Sequence, residues 1–427
     1  MTDTHDYDVL ILGAGPAGLS TALHLARDFP HLALRVLILD KARHPRPKLC
    51  AGGLTLDAEL ILSRLGLNTN EIPHADASAA HFDFAGKGLS VRNAKRHTLR
   101  VIRRDEFDAW LAGKAREQGI EIREQVMVKD VRPDSDGVTV ITGAGEFRAK
   151  IVVGADGSNG VTRRCVLPRE GVQTARVLEV ITPESGVIAS RLPERRATLF
   201  RPQSKEGGEA ISSSARGLLR REDRPPRNDE HQKDHAFFDF FVVPAGIEGY
   251  TWDFPTQVKG QPMRCWGVYD ANMTNGAKPS LKETLAEEMA RHGLDLNNYE
   301  LKGHPIRWYE PWTKISVPRV LLVGDAAGAD PLFGEGISLA LGYGALASAE
   351  IGEALRRGEF SFRRYRANVA RSGLGQTLLA RWVIAQVVYQ LKWRWFQILL
   401  WRLLKPIVLM VAWIFVLNWA RRLPVKK

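Results

Sequence analysis

The residues best suited to chemistry stand near the start of the chain. Gly13-Ala14-Gly15-Pro16-Ala17-Gly18 follows the apolar run Val9-Leu10-Ile11-Leu12 at once. A second apolar run, Leu34–Leu39, ends in Asp40, 22 residues after the last of those glycines. Gly13 permits a tight turn, Gly15 lets backbone approach a pyrophosphate, and Gly18 lets helix and strand pack closely. A helix opening at Pro16 and Ala17 presents free N–H groups and a partial positive charge to phosphate oxygens. Asp40, with Lys41 beside it, stands where ribose hydroxyls need an acceptor. Strand before, helix after and acid beyond agree on dinucleotide binding.

These groups need elements to hold them. Val9–Leu12 reads as a buried parallel strand, and Leu19, Ala22, Leu23 and Ala26 recur at helical spacing. Residues 54–115 read mainly as helix, with an extended stretch near 81–92, and residues 120–153 read as extended. Asp134-Ser135-Asp136-Gly137 and Gly143-Ala144-Gly145 are turn signals. Two more apolar runs end in glycine–acid clusters: Ile151-Val152-Val153 before Gly154-Ala155-Asp156-Gly157, and Val320–Val323 before Gly324-Asp325. Residues 174–200 and Phe237–Val243 are strand-prone. Residues 203–235 are polar and read as a long exposed loop or insertion.

The net charge of +12 first suggests a polyanion partner. Its distribution says otherwise. Residues 360–427 hold thirteen Lys and Arg and no acid, so the rest of the chain is near neutral. The same segment holds six of the eleven Trp. A basic, Trp-rich, acid-free tail points to a membrane surface rather than nucleic acid. Only Pro406–Ala420 is free of charge, which is short for a span. The leading expectation is a pair of half-embedded amphipathic helices, with Arg381, Lys392, Arg394, Arg402 and Lys405 reaching lipid phosphates. A short tilted span and an apolar cap folded on the body or on a dimer partner are the alternatives. Three scattered cysteines argue against a disulfide framework, and no Cys/His cluster suggests a metal site. The first residues carry no signal-peptide pattern.

Taken together, the fingerprint with Asp40, Gly154–Gly157 and Gly324–Gly328 followed by Pro331–Ile337 resemble the FAD-dependent superfamily of the p-hydroxybenzoate hydroxylase type. That resemblance implies that Asp325 bonds the ribityl chain and that Asp156 organises the pyrophosphate side. It also implies that Arg104, in Arg104-Asp105-Glu106-Phe107-Asp108, sits near the cofactor. Gly334-Glu335-Gly336-Ile337, opening the helical run Leu339, Ala340, Tyr343 and Ala347, would aim a positive helix end at the flavin ring and stabilise its reduced anion.

Two boxes narrow the resemblance to geranylgeranyl reductases. Pro45-Arg46-Pro47-Lys48-Leu49-Cys50-Ala51-Gly52-Gly53 is similar to their Pro-x4-Cys-Gly-Gly signature, with Ala51 interposed. Tyr250-Thr251-Trp252-Asp253-Phe254-Pro255 matches their Tyr-x-Trp-x-Phe-Pro box, which lines the isoprenoid site. The Gly-x-Gly that follows that box in some members is not clean here, where Gly267-Val268-Tyr269 lacks the second glycine. The resemblance implies an FAD site at Gly13, Gly15, Pro16, Ala17, Gly18, Asp40, Lys41, Cys50, Ala51, Gly52, Arg104, Asp156, Gly324, Asp325, Gly334, Gly336 and Ile337. It implies a substrate wall of Tyr250, Trp252, Phe254 and Pro255. Cys50 is the catalytic candidate, and a small buried cysteine is its plain alternative.

The expected fold is α/β. A discontinuous Rossmann-type FAD-binding domain (1–170 and 305–355) is interleaved with an antiparallel-sheet substrate domain (171–304), and an apolar helical tail (356–427) follows. The expected activity is reduction of carbon–carbon double bonds in a polyisoprenoid chain on a lipid, quinone or pigment, at the cytoplasmic side of a membrane. With no second dinucleotide fold visible, the external reductant is either NADPH, docking transiently, or a redox partner protein such as ferredoxin. The rivals are a flavin monooxygenase or halogenase, whose Gly-Trp-x-Trp-x-Ile-Pro box residues 249–255 partly match, and a non-catalytic membrane-docked electron-transfer flavoprotein.

Overall fold

A computed structural model describes residues 7–171, 173–184 and 233–424. The loop expected at 203–235 and the strand-prone residues beyond Glu184 fall largely outside them. Three sheets organise the described residues. The first has eight strands, with Val320–Leu322, Gly145–Gly154, Tyr7–Leu12, Val36–Leu39 and Glu121–Arg123 side by side and parallel. Their Val, Leu and Ile side chains are buried on both faces, as a parallel sheet under helices requires. The helices Pro16–Asp28 and Ile337–Arg357 pack against each other beside this sheet. Gly344 is essential to that contact, because a Cβ there would lie 2.5 Å from Ser20 Oγ.

The second sheet has seven strands in the order 302–307, 174–183, 261–270, 249–258, 235–239, 79–84 and 87–92. All pairings are antiparallel except that of His235–Asp239 with Ala79–Phe84. Residues 79–92, expected in the first unit, thus belong to the second sheet. The helical expectation for 54–115 holds only for Leu56–Arg64 and Arg104–Glu117. Between them the chain forms strands at His74–Ala77, Ala79–Phe84, Lys87–Arg92 and Leu99–Ile102, because partner strands override weak local preferences.

The C-terminal segment corrects a further expectation. Much of its first half packs into the core. Tyr365, Leu374, Leu378, Ala385 and Tyr389 are buried, and so is Trp419 near the far end. Arg381 does not reach for lipid phosphates: it is 2% exposed and ion-pairs with Asp330 at 2.7 Å and Glu335 at 2.5 Å. Arg402 donates to the Phe84 carbonyl at 2.7 Å, and Lys392 pairs with Glu248 at 3.2 Å. Buried carboxylates and a carbonyl outcompete solvent for these cations. Residues 393–417 leave a dense set of large apolar side chains exposed, joined by Leu379, Val383 and Val387 of the preceding helix. No single described helix is long and apolar enough to cross a membrane; Arg394–Leu403 and Lys405–Arg422 pass that test only as a pair bent by 79°.

Candidate functional site

The carboxyl ends of the parallel strands open onto one cavity of about 1750 Å³. Gly13, Gly15, Pro16, Ala17, Asp40, Lys41, Cys50, Ala51, Gly52, Arg104, Asp156, Gly324, Asp325, Gly334, Gly336 and Ile337 all line it. Gly18 does not: a Cβ there would sit 2.0 Å from the Gly13 carbonyl oxygen, so its role is close packing. Both helices that begin at the cavity, after Gly15 and after Gly336, lack a side-chain N-cap. Their first N–H groups are therefore available to an anion. Asp40 holds the loop as well as facing the cavity. Its Oδ2 accepts from Ala14 N at 2.7 Å and its Oδ1 from Ala42 N at 2.8 Å, and each oxygen keeps a further lone pair. Asp156 accepts from Thr162 N at 2.8 Å and Thr162 Oγ1 at 2.9 Å, and burial pushes its carboxyl up. Asp325 accepts from Ser158 Oγ at 3.3 Å.

These residues fit FAD. A Cβ on Gly15 would meet nothing nearer than the Arg46 guanidinium, at 3.6 Å, and one on Gly157 would meet nothing. The backbone at both places thus faces open cavity. Arg46 Nε is buried without a partner, while its Nη2 lies 3.2 Å from Asp108. Arg104 forms a two-pronged bond to the same Asp108, 2.8 Å on each arm. Burial alone would lower the pKa of Arg104, but Asp108 more than offsets this and holds it charged.

Three cavity groups escaped the sequence reading. Lys48 Nζ stands 2.6 Å from His304 Nε2. Burial, with the lysine beside it, lowers His304 to about 4, so the ring is neutral and can accept from Lys48. Lys48 and Arg46 lie inside the Pro45–Gly53 box, which could have flagged them; His304 carries no sequence signal. Cys50 is held by burial as a neutral thiol, its pKa raised, and its sulfur accepts from Gly52 N at 3.4 Å. That geometry describes no thiolate nucleophile.

The apolar half of the cavity follows from strand periodicity. Tyr250, Trp252 and Phe254 lie on one face of the strand Gly249–Val258 and line the cavity. Pro255 falls on the other face and does not, which corrects its place in the substrate wall. Trp252 pairs in register with Gly267, where a Cβ would come within 2.0 Å of the indole. Gly267 is thus the space the indole occupies, with or without a second glycine. Phe82 and Phe238 stack at 4.7 Å, and Trp401 from the C-terminal segment lies 6.5 Å from Phe82. The loop between the two halves is tied by three phenols: Tyr250 donates to the Phe333 carbonyl at 2.5 Å, Tyr269 to that of Pro331 at 2.9 Å, and Tyr389 to that of Leu332.

Glu179 lies next to this wall, 4% exposed, with Oε2 unpartnered. Burial raises its carboxyl to about 7, against the pull of Arg103 and Lys302. The folded protein therefore holds a proton there that the unfolded chain releases near 4.5. Stability should fall as pH rises between those values and level off above 7. Glu179→Gln is expected to abolish that slope and gain about 3 kcal/mol at pH 8, with little change at pH 4. Urea unfolding midpoints across that range read it out.

Residues 6–238 match the family model described as FAD binding domain. An uncharacterized protein of Methanosarcina barkeri is 28% identical over 381 residues, 87% of this chain and 82% of its own. A digeranylgeranylglycerophospholipid reductase of Methanosarcina acetivorans is 26% identical over 370 residues, 84% of this chain and 78% of its own. The crystal structure of a geranylgeranyl bacteriochlorophyll reductase-like protein from Thermoplasma acidophilum superposes with a TM-score of 0.71 at 19% identity, covering 97% of this chain and 98% of that one. The cradle, the fold and the family match agree, and the chain belongs to the FAD binding domain family and is an FAD-dependent oxidoreductase.

Proposed function

We propose that the protein saturates carbon–carbon double bonds of a geranylgeranyl or other polyisoprenoid chain carried on a membrane lipid, quinone or pigment. It would work at the cytoplasmic side of a membrane, held there through the C-terminal segment within residues 360–427. One observation carries the reading: a single cavity joins the FAD cradle to a wall of Tyr250, Trp252 and Phe254, with few polar groups beyond the cradle. Such a wall suits a long alkene chain.

Bound FAD, once reduced by NADPH or a ferredoxin-type partner, supplies the hydride for addition to the alkene. The chain's own residues do the rest. The uncapped start of the Ile337–Arg357 helix favours negative charge on the bound ring. Arg104 and Arg46, fixed on Asp108, supply positive charge to the cofactor side. Tyr250 and Trp252 hold the alkene and keep water away. Each reduced bond takes up one hydride and one proton.

The test is mass spectrometry of a geranylgeranyl lipid incubated with the FAD-loaded protein and dithionite. A gain of one H2 per bond is expected, and an unchanged lipid mass would refute the reductase reading. Gly267→Val, which pushes the Trp252 ring into the cavity, is expected to keep FAD and lose at least tenfold in lipid reduction.

A further inference from the structure

The cavity has two differently built mouths. Beside the cradle, the exposed lining residues include the charged Lys41 and Arg164, with the exposed Met127 flanked by Val126 and Val128. At the other end, residues that line the cavity are themselves exposed apolar side chains of the C-terminal segment. Val383, Val387, Ile407, Met410 and Trp413 are 47, 47, 52, 55 and 62% exposed. A side chain that both lines a cavity and meets the outside marks an opening. This opening lies between the helix Gly373–Gln390 and the bent pair that starts at Arg394.

The second mouth has a distinct chemistry. Contiguous exposed apolar surface on this scale marks an interaction site. The segment around it carries Arg394, Lys405, Arg421 and Arg422 and no acid at all, which matches an anionic lipid surface. The same short helices serve both sides. Leu400, Trp401 and Val408 face the cavity, while Trp395, Leu403 and Phe415 face outward. The aromatic wall thus lies only one helix away from the lipid-like exterior, beside the mouth.

We propose that the prenyl chain enters directly from the bilayer through this apolar mouth, while its polar head stays at the basic rim. The proposal rests on the prenyl-reductase reading above. Entry by the other mouth would drag each methylene through water and past lysine and arginine, which the hydrophobic effect opposes. The apolar mouth gives a path without that exposure.

The test uses the full-length, FAD-loaded protein on vesicles of phosphatidylglycerol and phosphatidylcholine. The probe is a geranylgeranyl ether lipid with a diazirine on its chain. On irradiation, the label should map to residues 383–417. Met410→Asp is expected to lower labelling and lipid reduction at least tenfold while flotation with the vesicles and FAD content persist. Label at Lys41 or Met127, no label at all, or full labelling in Met410→Asp would overturn the entry route. Should Met410→Asp lose its FAD, the wild-type label map and Val387→Asp decide. Label at the apolar mouth with no bond reduced would sink the reductase reading and leave the route standing. Reduction with label only at the polar mouth would do the reverse.

Discussion

Gly13→Ala is expected to purify without its flavin colour. Gly13 has φ +114°, a conformation open to glycine and costly for any L side chain, by about 1–3 kcal/mol. The added methyl would lie 2.4 Å from the Ala155 carbonyl oxygen and 2.8 Å from its carbon. Both are backbone atoms of the neighbouring parallel strand's exit, so no side-chain rotation relieves the contact. The loop must move, and with it the Ala14 N–H that Asp40 accepts at 2.7 Å. Phosphate and ribose groups lose their seats together. A fall in FAD affinity of at least 100-fold, about 2.8 kcal/mol, is the expected size. Visible absorbance and isothermal titration with FAD measure it. Retained affinity would mean that the turn is not what holds the pyrophosphate.

Arg381→Ala should cost about 3–5 kcal/mol of stability, because it strands the two carboxylates of Asp330 and Glu335 without their cation. Both acids sit on the loop whose residues Leu332–Gly336 line the cavity, and Arg381 also donates to the Val416 carbonyl at 3.1 Å. One guanidinium therefore ties this cavity-lining loop to the bent helix pair. A drop in Tm of about 3–6 °C follows. The variant also leaves uncompensated negative charge near the bound ring. The flavin potential should then fall by on the order of tens of millivolts, a shift that lost packing alone would not produce. Arg381→Lys keeps the charge but not the fork, and should restore most of the potential and part of the Tm. An unchanged potential in the alanine variant would show that the pair is structural only.

The cofactor cradle was legible because its signals are local. A turn that needs glycine, a helix that starts behind it and an acid at a strand end are all written within some thirty residues. The wall of Tyr250, Trp252 and Phe254 was legible through the resemblance of its box, and alternation on one strand puts these three on one face. Pro255 was misplaced when the box was taken whole instead of by that alternation. Other parts depend on distant partners. His74–Ala77 has little strand preference of its own and becomes a strand only beside Leu99–Ile102. Arg381 lies in a run rich in apolar and basic residues, and nothing near it in sequence announces that two carboxylates 46 and 51 residues away will claim it. His304 and Lys48, 256 residues apart, meet only through the fold.

The burial of Trp419 changes what kind of object the C-terminal segment is. Its indole fills the space left by Gly342, where a Cβ would come within 2.7 Å of the ring. The next residue, Ala420, donates its N–H to Asp57 at 2.9 Å and accepts from Arg64 at 2.7 Å. With Tyr389 buried on the other side, the outward-facing apolar stretch is clamped at both ends. Topologically it is a loop, and a loop closed by its own protein cannot fray away as a terminus does. Shortening the chain to obtain a more soluble enzyme would therefore cut a core tryptophan first. Solubility is better sought by polar replacement at outward positions such as Trp395 and Phe415, which leaves both clamps in place.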